Sequence, residues 1–251
     1  MTPDQALSRL GELAARSDLD HVAALPNYAY DEFTALIAIH EGAPTTVDEL
    51  SAALDRLAKP IPPAPDTDLF LQVARVSHEL FSVHGFRGDS EHYDDPANSR
   101  LDLVLERRKG LPILLSLIFM EVARRASLHL GGVGFPGHFL VTPLAAAEPF
   151  FLDPFHGGQA LGQEQLRARF EAQHPHIEVT AEHWAAWTEV VTPRELFVRV
   201  NHNLRASWLR RGELSGALRA VQRLCQLVPH DPRYAEEQAL LEGELRRGSA
   251  P

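Results

Sequence analysis

Residues 112–126 carry the pattern that most restricts how this chain can fold. Ile113, Leu114, Leu115, Leu117, Ile118, Phe119, Met120 and Val122 make the segment apolar almost all round, with charge arriving only at Glu121, Arg124 and Arg125. A helix of this kind has no face to turn to water, so it must lie at the centre with other elements packed about it. Pro112 opens it, a first-turn position where the missing N–H costs nothing. The apolar run 111–120 is too short to span a bilayer, which needs about 20 residues, and no signal-peptide pattern is seen at the N-terminus. The expectation is a cytoplasmic chain that does not enter a membrane. With 251 residues, 45% of them hydrophobic and 23% charged, there is ample material to wrap such a helix.

Charge and cysteine content narrow the chemistry. The net charge of −10 argues against a nucleic-acid backbone as the main partner. A single cysteine, Cys225, excludes an intramolecular disulfide, a cysteine-based zinc site and an iron–sulfur cluster built from this chain alone. All basic residues but Lys59 and Lys109 are arginine.

Punctuation divides the chain into three regions. Residues 1–65 read as three helices followed by KPIPPAP (59–65), four prolines in seven residues, which is an extended linker or a wrapped segment. Thr46 with Glu49 forms a capping-box pattern ahead of the third helix. Residues 66–190 mix types: a helix over 68–84, another over 100–108, the buried helix, then strand-like runs at 133–142 and 149–153 that fit a hairpin. Helices followed by paired strands read as α+β. Residues 191–251 are helical again. There the spacing Leu204, Trp208, Gly212, Ala217, Val221, Pro229 resembles a tetratricopeptide repeat, a unit that must pack against a neighbour to bury its face.

The residues with chemical potential cluster after the buried helix. His138 on one strand and Asp153 on its neighbour can lie side by side, the carboxylate holding one ring nitrogen and leaving the other free. The same pair can equally be a partly buried histidine tidied by a strand-end aspartate. His156, in a turn whose glycines permit close backbone approach, can line the same cleft. His174, His176 and His183 have no carboxylate at matching spacing and read as surface loop. Arg107, Arg108 and Lys109 read as a solvated turn, and Ser99 as a helix cap. No metal site and no cofactor is expected.

Over residues 30–240 the chain resembles the SirB family of transglutaminase-like proteins with a tetratricopeptide-like C-terminal region. The resemblance rests on NSRLDLVLERRKGLP (98–112), GVGFPGHFLV (132–141) and LDPFHGG (152–158). It implies a papain-like transglutaminase core, in which a cysteine begins the buried helix and a histidine and an aspartate follow on adjacent strands. His138 and Asp153 match the second and third members. The first falls at Pro112, which has no nucleophile. Cys225 lies far along the chain among Val221, Leu224 and Val228, where a thiol packs as a small hydrophobe. Ser116, one turn after Pro112 on the same helical face, is the other candidate nucleophile, although its hydroxyl can instead bond backbone.

Two functions follow. The first is a non-catalytic or regulatory module that holds a protein or peptide partner, with Pro112, Phe135 and His156 lining the cleft beside His138 and Asp153. The second is a hydrolase or acyl transferase in which His138 is the general base, Asp153 orients it, and water or Ser116 attacks. The missing thiol favours the first. Oligomeric state is left open by the sequence.

Overall fold

The computed structural model describes residues 1–64 and 66–248. The N-terminal region forms α1 (Pro3–Ala14), α2 (Asp31–His40) and α3 (Val47–Ala58). Capping boxes start α1 at Thr2 and Gln5 and α3 at Thr46 and Glu49, each satisfying backbone donors that would otherwise lack partners. In the proline-rich stretch Ile61 is buried, and Ile61, Pro62 and Ala64 pack near Val76 and Leu128, so the described part wraps the body. Its last residue, Pro65, lies outside the described residues.

The middle region contains α4 (Leu69–Ser77), which continues as a π-helical turn over His78–Val83, then β1 (Arg87–Gly88), α5 (Leu101–Arg107), β2 (Lys109–Gly110) and α6 (Pro112–Arg125). Helix α6 is the centre that its sequence demands. Every residue from Pro112 to Ala123 is buried, and α3, α4, α5 and two sheet strands pack around it. Burial of each large apolar side chain contributes roughly 1.5–3 kcal/mol. Its charged end is also enclosed: Glu121 accepts from Tyr30 N at 2.7 Å and from Arg124 and Arg125. Arg125 reaches on to Asp31 at 2.7 Å and Asp55 at 2.6 Å, joining α6 to α2 and α3.

Four strands follow as an antiparallel meander: β3 (Leu130–Val133), β4 (Leu140–Pro143), β5 (Phe150–Asp153) and β6 (Gln159–Gly162). The expected strand over 133–142 is therefore two strands with a loop between them. Pro136 has no N–H for a ladder, and Gly137 takes φ +69°, so the chain turns back there. Strand β6 escapes sequence reading because its four residues carry one buried apolar side chain, Leu161. Two helices also unforeseen, α7 (Gln163–Gln173) and α8 (Ala181–Thr188), complete this region.

The C-terminal region is a row of three helices, α9 (Pro193–Arg210), α10 (Leu214–Leu227) and α11 (Pro232–Gly248), each packed on the next. Gly216 lets α10 close on α9, since a Cβ there would stand 2.4 Å from the Trp208 ring. Cys225 faces α11, its Sγ 3.4 Å from Gln238 Oε1, and burial raises its pKa. One apolar core draws on all three regions. Phe33 of α2 stacks on Phe197 of α9 at 3.8 Å, and Arg194 of α9 binds Asp20 at 2.5 Å and the Ala14 carbonyl at 3.0 Å. Among the described residues, no helix is long and apolar enough to cross a membrane.

Candidate functional site

Two tight turns at the ends of strands build the site. In the first, His138 N donates to the Phe135 carbonyl at 3.0 Å, with Pro136 and the positive-φ Gly137 between them. Proline presets the first central residue of such a turn and glycine accepts the second, so the local sequence dictates the bend that aims His138. Arg199 of α9 clasps this turn from behind, donating to the His138 carbonyl at 2.6 Å and the Phe135 carbonyl at 3.2 Å.

The second turn begins where β5 ends. Asp153 caps the short 3-10 helix Pro154–His156 by accepting from His156 N at 3.2 Å, and Gly157 and Gly158 close the turn at positive φ. The same carboxylate accepts from His138 Nε2 at 2.8 Å and from His156 Nδ1 at 2.7 Å, while Arg169 Nη1 stands 3.4 Å away. The Asp153 side chain is 0% exposed, against 21% for His138 and 46% for His156. Burial by itself raises its pKa. The hydrogen bonds and charge of His138, followed by those of His156, outweigh burial and hold the carboxyl below the usual carboxylate range. An ionised carboxylate only accepts, so each imidazole turns an N–H to it. In a neutral ring, His138 Nδ1 and His156 Nε2 then carry the lone pairs.

The cleft in front of this cluster has a volume of about 350 Å³, within the usual size of a small-ligand site. Leu166, Arg169, Phe170 and Gln173 line one wall, the helical stripe of α7 that faces it. Phe135, Pro136, His138, Phe155 and His156 form the other, and Pro112, at the first turn of α6, lines it as well. Phe135 meets Phe170, Trp184 and Trp187 edge-on at 5.7 to 6.2 Å, an aromatic backing for that wall.

The structure thus brings His138, Asp153, His156, Phe135 and Pro112 together. It separates Ser116 from them. Ser116 is fully buried, its hydroxyl donates to the Phe139 carbonyl at 3.4 Å, and it does not line the cleft. The expectation that it can serve as nucleophile is corrected on that ground. Ser99 is buried, Arg100 holds the cap position of α5, and the Ser99 hydroxyl has no hydrogen-bond partner among the described residues. Arg107 binds the buried Asp89 at 3.0 Å, and Arg108 lies over the Phe86 ring. His174 belongs to the cleft lining, whereas His183 stacks on Trp187.

His138, Asp153 and His156 are also residue types that bind a divalent cation, and their nitrogen and oxygen atoms lie within 4.8 Å of one another. Here both imidazoles spend a nitrogen on the carboxylate directly and the Arg169 guanidinium adds positive charge, so the set is arranged as a hydrogen-bonded cluster. Sequence reading missed Arg169, Arg199 and Tyr93, the last of which also lines the cleft. The stripe of Leu166, Phe170 and Gln173 was a usable signal for Arg169, which shares their helical face; Arg199 had none, because its turn is 61 residues away along the chain.

A buried helix leading into an antiparallel sheet, with a histidine and an aspartate joined at one end of that sheet, is the arrangement that the resemblance to transglutaminase-like proteins implies. The sequence profile of the Transglutaminase-like superfamily matches residues 45–202, more than half of the chain, and the protein belongs to that superfamily. Its relatives include a UPF0162 protein of Xylella fastidiosa strain Temecula1, 38% identical over 173 residues that make up 68% of this chain and 60% of that protein. A UPF0162 protein of Pseudomonas aeruginosa is 35% identical over 148 residues, 59% of this chain and 53% of its own length. F-box only protein 21 of Mus musculus is 36% identical over 80 residues, 32% of this chain and 13% of that protein. The chain thus spans about 60% of the length of the first of these relatives. No solved structure matches it.

Proposed function

We propose that this protein is a transglutaminase-like module of the SirB type that holds a peptide or protein segment in the cleft beside His138 and Asp153, without thiol chemistry. The observation that carries the reading is Pro112. It stands in the cleft at the start of the buried helix, where the family resemblance would put the nucleophilic cysteine, and a prolyl ring can neither attack nor ionise. The functional division follows the sequence: residues 66–190 as the core, 1–65 as a helical support, and 191–251 as a tetratricopeptide-like unit. The pairing of α9 with α10 around Gly216 and Trp208 supports the last part, and Arg199 gives that unit a grip on the cleft.

A second reading rests on one observation: Asp153 occupies His138 Nε2, and Nδ1 has no hydrogen-bond partner among the described residues. That is the posture of a general base for a water nucleophile. One experiment separates the two. The protein is incubated with a library of short peptides, in free-acid and amide forms, and the retained peptides are weighed by mass spectrometry. Binding with every retained peptide recovered intact is expected. A gain of water or a cleaved bond that disappears in His138→Ala would replace the binding reading with the hydrolytic one, and retention of no peptide in either form would end the binding reading.

A further inference from the structure

The cleft presents an uneven chemistry for a chain of net charge −10. Asp153 is the only acidic residue among the described residues that line it, and it is fully buried beneath its donors. Toward the open space stand the Arg169 guanidinium, 36% exposed, and the imidazoles of His138, His156 and His174. Arg169 spends only Nη1 on Asp153, at a long 3.4 Å, and its Nε and Nη2 make no hydrogen bond among the described residues. These two groups form one edge of the planar fork that matches a carboxylate through two parallel N–H···O bonds. Much of the rest of the cleft is apolar, walled by Phe135, Pro136, Phe155, Leu161, Leu166 and Phe170, with Tyr93 and Gln173 as further polar lining.

From this juxtaposition we infer that the cleft recognises a carboxylate carried on an apolar residue: Arg169 clamps the carboxylate, and the apolar residue lies among the phenylalanines. A volume of about 350 Å³ has room for one large side chain with its terminal group, not for an extended peptide. The end of a peptide chain and a free N-acylated amino acid share this chemistry. Capture of a terminal carboxylate is a recurrent mode of peptide recognition, and here it names the end of the segment that the proposed binding role would engage. The inference rests on that role.

The test uses the full chain and three probes: an N-acetylated pentapeptide ending in phenylalanine with a free carboxylate, the same peptide as its C-terminal amide, and N-acetylphenylalanine. Binding is read by calorimetry and by tryptophan emission, because Trp184 and Trp187 back Phe135. The free acid is expected to bind at least about tenfold more tightly than the amide. Arg169→Gln should reduce the acid to the affinity of the amide, with Arg169→Lys falling between, and thermal melts confirm that both variants are folded. Equal binding of acid and amide by the unaltered protein would overturn the carboxylate inference and leave the binding role standing. A preference that survives in Arg169→Gln would overturn it too. If neither peptide form binds, and the library described above gives no ligand, both fall. N-acetylphenylalanine tells the two sources apart: affinity equal to the peptide acid assigns the site to a single free residue, and a much weaker one assigns it to a peptide end.

Discussion

Two fully buried carboxylates in this molecule are surrounded by similar parts and differ in where those parts lead. Glu41, at the end of α2, accepts from Arg223 Nη2 at 2.6 Å, and its other oxygen accepts from Arg219 at 3.2 Å and Trp208 Nε1 at 3.2 Å. Arg223, itself 0% exposed, also donates to Asn201 Oδ1 at 2.6 Å and to His40 Nδ1 at 2.9 Å. All three arms of that guanidinium end inside the protein, tying α2 to α9 and α10. Asp153 likewise gathers histidines and an arginine, yet its partners are part-exposed and turn their remaining nitrogens away from it. Burial of a charge is therefore no guide to function here. The distinguishing property is whether the partners of the charge have donors or lone pairs left over, which makes the first cluster a staple and the second a site.

The contrast breaks most readily at the staple. Arg223→Met leaves Glu41 buried with one oxygen deprived of its donor, and loss of one member of a buried ion pair costs about 3–5 kcal/mol. Urea unfolding measures it, and a loss below about 1 kcal/mol would show that the cluster is not a staple.

The next effect is in pH. Burial, followed by the charge of Arg223, pushes His40 down to about 3 from its usual 6.5. Protonation would occupy the nitrogen that accepts from Arg223 and set two cations together. Between about pH 6.5 and 3 the unfolded chain takes up a proton that the folded chain refuses, so stability falls as pH falls, by at most about 1.4 kcal/mol per pH unit. Asp153 and Glu41, both held below the ordinary carboxylate range, contribute stability that is present above the unfolded carboxylate values and is lost as pH falls through their folded ones. Burial holds His202 below the ordinary imidazole range as well, so the two histidines share the decline between about pH 6.5 and 4, and His40→Gln should flatten it in part. An unchanged slope in that variant would remove His40 from the account.

The smallest effects belong to the site. His138→Ala removes one of the donors on Asp153 and leaves His156, a backbone N–H and Arg169 near it, so a loss of about 1–2 kcal/mol is expected. His156→Ala, at a more exposed position, should cost less than about 1 kcal/mol. Peptide binding, measured on the same samples, should weaken with both. A loss of 3 kcal/mol or more in His138→Ala with binding intact would turn the Asp153 cluster into a second staple.

How much of this was legible depended on the distance over which each residue exerts its effect. The central helix could be read because its own periodicity forbids any other placement, and His138 could be seen as able to meet Asp153 because they follow on neighbouring strand-like runs, although the turns that aim them, at Pro136–Gly137 and Asp153–Gly157, came from the structure. The strand over 133–142 was misread where the same Pro136 and Gly137 interrupt it, and Ser116 was misplaced because helical spacing fixes a face but not the neighbour that covers it. Arg169, Arg199 and the whole Glu41 cluster were invisible, since their partners come from elements far apart in the chain.

The amino-acid sequence by itself determined that a helix must be buried and that a proline opens its first turn, and it offered an imidazole and a carboxylate that could meet. These follow from side-chain chemistry and local backbone preference. Only the tertiary structure decided which polar groups keep unused donors in an open cleft and which are consumed in the interior. That distinction is set by what packs around a side chain, and packing brings together residues whose separation in sequence carries no trace of their contact.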